Sequence, residues 1–166
     1  MRESDFIQRK ADEAWMAIAL EEAGRACEEG EVPVGAVVVL HEKLIARAHN
    51  RIIAQADPSA HAEVLAIREA ASMMRNYRLP GATIYVTIEP CIMCAGVILQ
   101  ARLHRVVYGA TDPKQGAVST LYGLLDDDRL NHRTSVTGGI CASECAEIIS
   151  RFFRGKRLIS TPASEY

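Results

Sequence analysis

From Asp12 to Glu29 the apolar residues Trp15, Ile18, Ala19, Ala23, Ala26 and Cys27 recur at helical intervals, acidic residues take the other face, and Gly30 stands just past the end. This spacing predicts an amphipathic helix over 12–29 with a glycine stop. Val34–Leu40 is β-branched and almost continuously apolar, and a second run, 43–49, follows after a short polar break. The two read as strands joined by a hairpin, the first buried on both faces. Asp57-Pro58-Ser59 carries a helix-start signal, with Asp57 or Ser59 as the cap, for a helix reaching about Arg75. A strand over 83–88, a helix over 91–100 and a strand over 105–109 complete two successive strand-helix-strand units, the pattern of a sheet covered by helices. Residues 111–137, with Asp112-Pro113, Gly116 and the acidic run 126–128, read as loops. A last helix is expected over about 142–157, followed by a disordered tail from about 158.

Composition narrows the class. With 166 residues, 49% of them hydrophobic, the chain has the size of one domain over 1–166 that buries most of its apolar surface. No run approaches the roughly 20 apolar residues that cross a bilayer, and Met1-Arg2-Glu3-Ser4-Asp5 is too polar for a secretory signal, so a cytoplasmic protein with no membrane contact is expected. Five cysteines are too few for a disulfide scaffold of this length and favour metal binding. A net charge of −2 excludes a protein coated in basic residues, so any nucleic-acid contact must come from a local patch. Arg151, Arg154, Lys156 and Arg157 around Phe152-Phe153 form such a patch; the same cations also suit a helix C-terminus, and spacing alone does not separate the two readings.

The chemistry sits in a split pattern, His61-Ala62-Glu63 and then Pro90-Cys91-Ile92-Met93-Cys94. H-x-E followed by P-C-x-x-C is the signature of zinc-dependent nucleobase deaminases, with His61, Cys91 and Cys94 as ligands and Glu63 as acid and base. Three protein ligands leave the fourth tetrahedral position to water. Placed in the first turns of their helices, His61 and Glu63 can reach one point, and Cys91 and Cys94 share a face. A helix N-terminus favours thiolate over thiol. Two thiolates cancel the charge of the ion and leave its water less acidified, which calls for a base such as Glu63. A purely structural zinc needs a fourth protein ligand. The remaining thiol pair, Cys141 and Cys145, reads as core packing beside Ile148 and Ile149, and Cys27 reads likewise. His41, His49, His104 and His132 lack ligand spacing and receive no chemistry. The motif does not say which ring is attacked, so a free base or nucleoside of the guanine or cytosine type stays open, as does an RNA-binding protein with structural zinc.

Longer segments go beyond the motif: 31–36 (EVPVGA), 48–50 (AHN), 60–63 (AHAE), 85–96 (YVTIEPCIMCAG), 105–110 (RVVYGA) and 131–133 (NHR). Through them the chain resembles the bacterial tRNA-specific adenosine deaminases, of the cytidine and deoxycytidylate deaminase superfamily, from about Asp12 to Arg157. The resemblance implies an α/β protein, a three-layer α/β/α sandwich with a five-stranded mixed sheet of the cytidine deaminase-like kind. It further implies a homodimer with one Zn2+ per subunit, acting on the anticodon stem-loop of tRNA to convert the wobble adenosine of an arginine tRNA with an A-C-G anticodon to inosine. Carried over by position, His61, Cys91 and Cys94 hold zinc, Glu63 shuttles protons, Asn50 hydrogen-bonds the base and Val34 packs on its ring. Asp112, Phe152, Phe153 and Arg154 fall where the family contacts RNA. The segment after Arg157 is short and has no lysine, unlike the longer basic tails common in the family.

Overall fold

In the computed structural model, which describes residues 2–159, a single sheet separates two helical layers. Helix α1 (Glu3–Glu28) leads into strands β1 (Gly35–Leu40) and β2 (Lys43–His49), a one-turn helix α2 (Ile52–Gln55) and helix α3 (Ala62–Met74). Strand β3 (Thr83–Ile88), helix α4 (Ile92–Gln100), strand β4 (Arg105–Ala110), a 3-10 turn (Leu124–Asp126), strand β5 (Ser135–Thr137) and helix α5 (Ala142–Ile159) follow. The sheet order is β2-β1-β3-β4-β5; β1 runs antiparallel to both β2 and β3, whereas β3-β4 and β4-β5 are parallel. This is the five-stranded mixed sheet that the resemblance implied.

Strand alternation fills both layers. Ala36, Val38, Ile84, Val86, Val106 and Tyr108 face the cluster under α3 and α4, while Val37, Val39, Tyr85 and Val107 face Met16, Ala19, Ile140 and Cys145 on the side of α1 and α5. Each face is therefore covered, and β1 is buried almost throughout, as its continuous apolar run requires. His41 and Glu42 both take positive φ, so the β1–β2 hairpin turns in two residues and pairs Leu40 with Lys43. One residue later in the ladder Ile45 is extra: Val38 pairs with Ala46 and Val39 with Leu44, which makes a bulge in β2. Gly35 lets β1 start hard against α1, since a Cβ there would overlap the Ala19 carbonyl oxygen.

Several boundaries differ from the sequence reading. α1 begins at Glu3, not Asp12, because its first turns lie wholly in solvent and carry no apolar stripe; local ion pairs, Arg2 with Asp5 and both Arg9 and Lys10 with Glu13, line that stretch. The acidic residues of α1 do not all face water: Asp12 and Glu22 are buried. Asp12 accepts two bonds of 2.8 Å from Arg105 and one of 3.0 Å from the Tyr85 hydroxyl, and Glu22 is held by Arg47, Arg25 and His49. Cys27, read as core, is exposed, because one step past buried Ala26 turns it about 100° outward.

Residues 57–59 form an Asp57-centred turn, in which Asp57 accepts from the Ser59 N–H and hydroxyl, and α3 starts only at Ala62. β5 and α2 were not foreseen, since three and four residues are too short to show a period. Cys141 precedes α5 with a φ of 53°, so only Cys145 sits in the helix and in the core. α5 continues to Ile159; the rest of the expected tail lies outside the described residues.

Candidate active site

The late start of α3 makes His61 its N-cap, with extended φ and ψ of −73° and 149°. Its own side chain does not cap the helix. The Asn50 carboxamide oxygen does so from the end of β2, accepting from the Ala62 N–H at 2.9 Å. His61 is thereby released to point elsewhere. Cys91 is likewise the N-cap of α4, held extended after Pro90, and Cys94 follows in the first turn. Two helix N-termini thus converge, and the ligand-type atoms of His61, Cys91 and Cys94 lie within 4.8 Å of one another. His61 Nδ1 is 3.7 Å from Cys91 Sγ and 3.5 Å from Cys94 Sγ. Tetrahedral bonds of about 2.0–2.3 Å would separate donor atoms by about 3.5–3.8 Å, so the three donors fit a metal ion of the kind read from the sequence.

The local electrostatics suit that use. The Cys94 thiol hydrogen-bonds Cys91 and, against the opposing effect of burial and with help from His61, brings Cys91 down to about 4. Cys94 is pushed up by the same contact and by its burial. The bond to Cys91 raises His61 above its ordinary value. Glu63, in the first turn of α3, is 3% exposed. Its Oε2 has no hydrogen-bond partner, and burial pushes its carboxyl up to about 7. A buried acid left half unpaired beside three ligand-type side chains is equipped to move protons rather than to support the fold.

His61, Glu63 and Cys91 face a cavity of about 550 Å³. Val34, Asn50, His61, Glu63, Cys91, Asp112 and Phe153 all line it, and Cys94 is buried behind Cys91. One wall is the loop Thr111–Gln115, and another is the α5 face bearing Ala146, Ile149 and Phe153. Phe152 is not on the cavity; it meets Phe153 edge-on at 5.4 Å, with the Lys156 ammonium 5.1 Å from its ring centre. Arg154 is exposed and bonds Glu147 at 3.0 Å, away from the cavity.

Sequence reasoning passed over Glu89. Its buried carboxylate accepts from the N–H groups of Asp112, Val118, Ser119 and Thr120 at 2.8–3.3 Å and from the Thr120 hydroxyl. Burial opposes its charge, but the Thr120 hydroxyl and the loop amides outweigh that and hold the carboxyl below its ordinary value. The available signal was a charged residue closing an apolar strand next to Pro90 and Cys91.

Residues 10–157 match the family model of the MafB19-like deaminases. The chain is 48% identical to the tRNA-specific adenosine deaminase of Bacillus subtilis (strain 168) over 146 residues, 88% of this chain and 91% of that one. It is 45% identical to the enzyme of the same name from Haemophilus influenzae over 152 residues, 91% and 88% of the two chains. Among solved structures, one from work on A-to-I editing by tRNA:A34 deaminases at the wobble position superposes with a TM-score of 0.79 at 47% identity, covering 81% of this chain and 98% of that one. A guanine deaminase from Nitrosomonas europaea superposes with a TM-score of 0.72 at 22% identity, covering 84% and 83%, which speaks for the fold alone.

Proposed function

The chain belongs to the MafB19-like deaminase family and, within it, to the tRNA-specific adenosine deaminases, and from that premise we propose that it hydrolytically deaminates the wobble adenosine of tRNA to inosine, with an arginine tRNA carrying an A-C-G anticodon as substrate. The observation that carries the reading is the buried Glu63 carboxylate, one oxygen of which has no hydrogen-bond partner, next to a three-donor metal set at an open cavity. We assign the three donors, His61 Nδ1 and the Cys91 and Cys94 sulfurs, to one zinc ion per subunit. When bound, zinc would polarise the attacking water, and with two thiolate donors moderating that effect the proton is left for Glu63 to take.

Glu63 does the proton work. Its raised carboxyl accepts a proton from the attacking water, passes it to a ring nitrogen as attack proceeds at C6 of adenine, and delivers a further proton to the amine that leaves as ammonia. Adenine and water become hypoxanthine and ammonia. Asn50 has its oxygen committed to Ala62, which leaves its NH2 as the end that meets the base. Val34, whose carbonyl accepts from the Asn50 N–H at 3.1 Å, lines the cavity beside Asn50 and packs against the ring. Anticodon bases are unpaired, so turning one into the cavity is cheaper than extruding it from a duplex. Asp112 and Phe153 at the rim, with Phe152 and Arg154 farther along α5, contact the flanking RNA. The active form is a cytoplasmic homodimer; among the described residues no helix is long and apolar enough to cross a membrane.

Zinc-loaded protein incubated with an A-C-G arginine tRNA, and separately with free adenosine, guanine and cytidine, is expected to form wobble inosine and ammonia from the tRNA alone. Turnover of a free base with the tRNA untouched would replace the substrate and keep the chemistry. No reaction from zinc-replete protein would overturn the enzymatic reading.

A further inference from the structure

We propose that Glu89 is a positioning residue for the polynucleotide substrate: its carboxylate is the mould on which the loop 111–120 is folded, and it ties that loop, whose first half (111–115) walls the cavity, to the metal-binding end of α4. The inference rests on the deaminase reading above and names a determinant within that site. Five donors from a loop with little regular structure converge on this one side chain, from Asp112 at the start of the loop to Thr120 at its end. A loop that cannot pair its amides within a ladder must satisfy them elsewhere, and here one buried anion takes four of them.

Two further observations show that the wall is shaped around the carboxylate. Gly116 passes so close that a Cβ there would overlap the Glu89 carboxylate. The backbone adds a second tie: the Glu89 N–H extends the β3–β4 pairing by donating to the Ala110 carbonyl at 2.8 Å, and from the loop the Ala117 N–H donates to the Pro90 carbonyl at 2.9 Å. The loop is thus bonded to the two residues that immediately precede Cys91. Asp112, Pro113, Lys114 and Gln115, which present this wall to the cavity, are carried by the bonds at either end. Glu89 therefore sets the distance between the wall that meets the nucleotides around the reacting base and the centre that performs the chemistry.

Glu89→Gln keeps the volume but turns one acceptor into an NH2 that faces N–H donors, and Thr120→Val removes a single donor at nearly constant shape. With an anticodon stem-loop substrate, Glu89→Gln is expected to raise KM about tenfold while kcat falls less than about threefold. Zinc content should be unchanged, and hydrogen exchange should quicken at the amides of 112 and 118–120. Thr120→Val should shift KM the same way by about two- to threefold, and it serves as the test if Glu89→Gln does not fold. Folded variants with lowered thermal stability but a wild-type KM would reduce Glu89 to a purely structural role and overturn the proposal. A fall in kcat at unchanged KM would do the same. Wild-type protein inactive on the stem-loop would instead overturn the functional reading, and this proposal with it.

Discussion

Glu22 on α1 and Glu63 on α3 are hidden from solvent to nearly the same degree, 2% and 3% exposed, but their surroundings treat them in opposite ways. Burial disfavours the charge of Glu22, but His49 and Arg47 outweigh it and hold that carboxyl below its ordinary value. Glu63 keeps an oxygen with no partner, and burial carries it up to about 7. Asp12, Glu31 and Glu89 side with Glu22, since each is buried and hydrogen-bonded. Depth alone does not mark a functional acid in this fold. The mismatch between burial and pairing does, and among the described residues it picks out one carboxylate.

The largest expected effect lies on the unpaired side of that contrast. Glu63→Ala should lower kcat by about a thousandfold, the scale of a positioned acid-base group. Metal content by atomic absorption should stay at the wild-type level, and thermal stability should hold or rise. Activity within tenfold of wild type would break the contrast. On the paired side, Asp12→Ala takes the counter-charge from Arg105, leaving it only the Thr137 hydroxyl, and removes the Tyr85 bond, and should lower unfolding free energy by about 3–5 kcal/mol in urea titrations. The folded variant should keep its kcat to within about twofold; a stability loss below about 1 kcal/mol would show that the pairing is idle.

The pH dependence of stability separates the two acids by sign. Glu22 has a lowered folded pKa, so its contribution is present above about pH 4.5 and is lost as the pH falls through that lowered value. Glu22→Gln should flatten the acid limb. Glu63 has a raised folded pKa, so in protein stripped of metal it detracts from stability progressively as the pH climbs from about 4.5 to about 7. Glu63→Gln should remove that opposite slope, as read from denaturation midpoints across the range, and equal slopes for the two variants would sink the distinction. The smallest effect belongs to a surface pairing: Glu147→Gln, which takes the counter-charge from Arg151 and Arg154 on α5, should change stability by less than about 0.5 kcal/mol.

The sequence carried the elements that repeat a period and the chemistry that repeats a spacing. The buried strand β1, the α1 face of Ala19, Ala23 and Ala26, and the split pattern of His61, Glu63, Cys91 and Cys94 were legible because each is written in a short window. What was not legible depends on distant partners. Asp12 is buried because Arg105, 93 residues later, reaches it, and nothing near Asp12 announces that. The α3 boundary moved because Asn50, 12 residues away, supplies the cap that the Asp57-Ser59 turn was read as providing. Glu89 was visible as a residue, but its loop partners lie 23 to 31 positions downstream and form no motif. Phe152 and Arg154 share a helix with Phe153, but α5 turns only Phe153 of the three into the cavity.

The two rims of the sheet have a bearing on how copies of the chain can associate. β2 is broken by the bulge at Ile45 and studded with Lys43 and Arg47, and β5 at the other rim offers three residues. Neither presents the long, flat ladder that lets one sheet continue into another. Ribbon-like growth into fibres is disfavoured at both ends, and self-recognition is steered to helical and loop surfaces, where contacts can close after a fixed number of subunits.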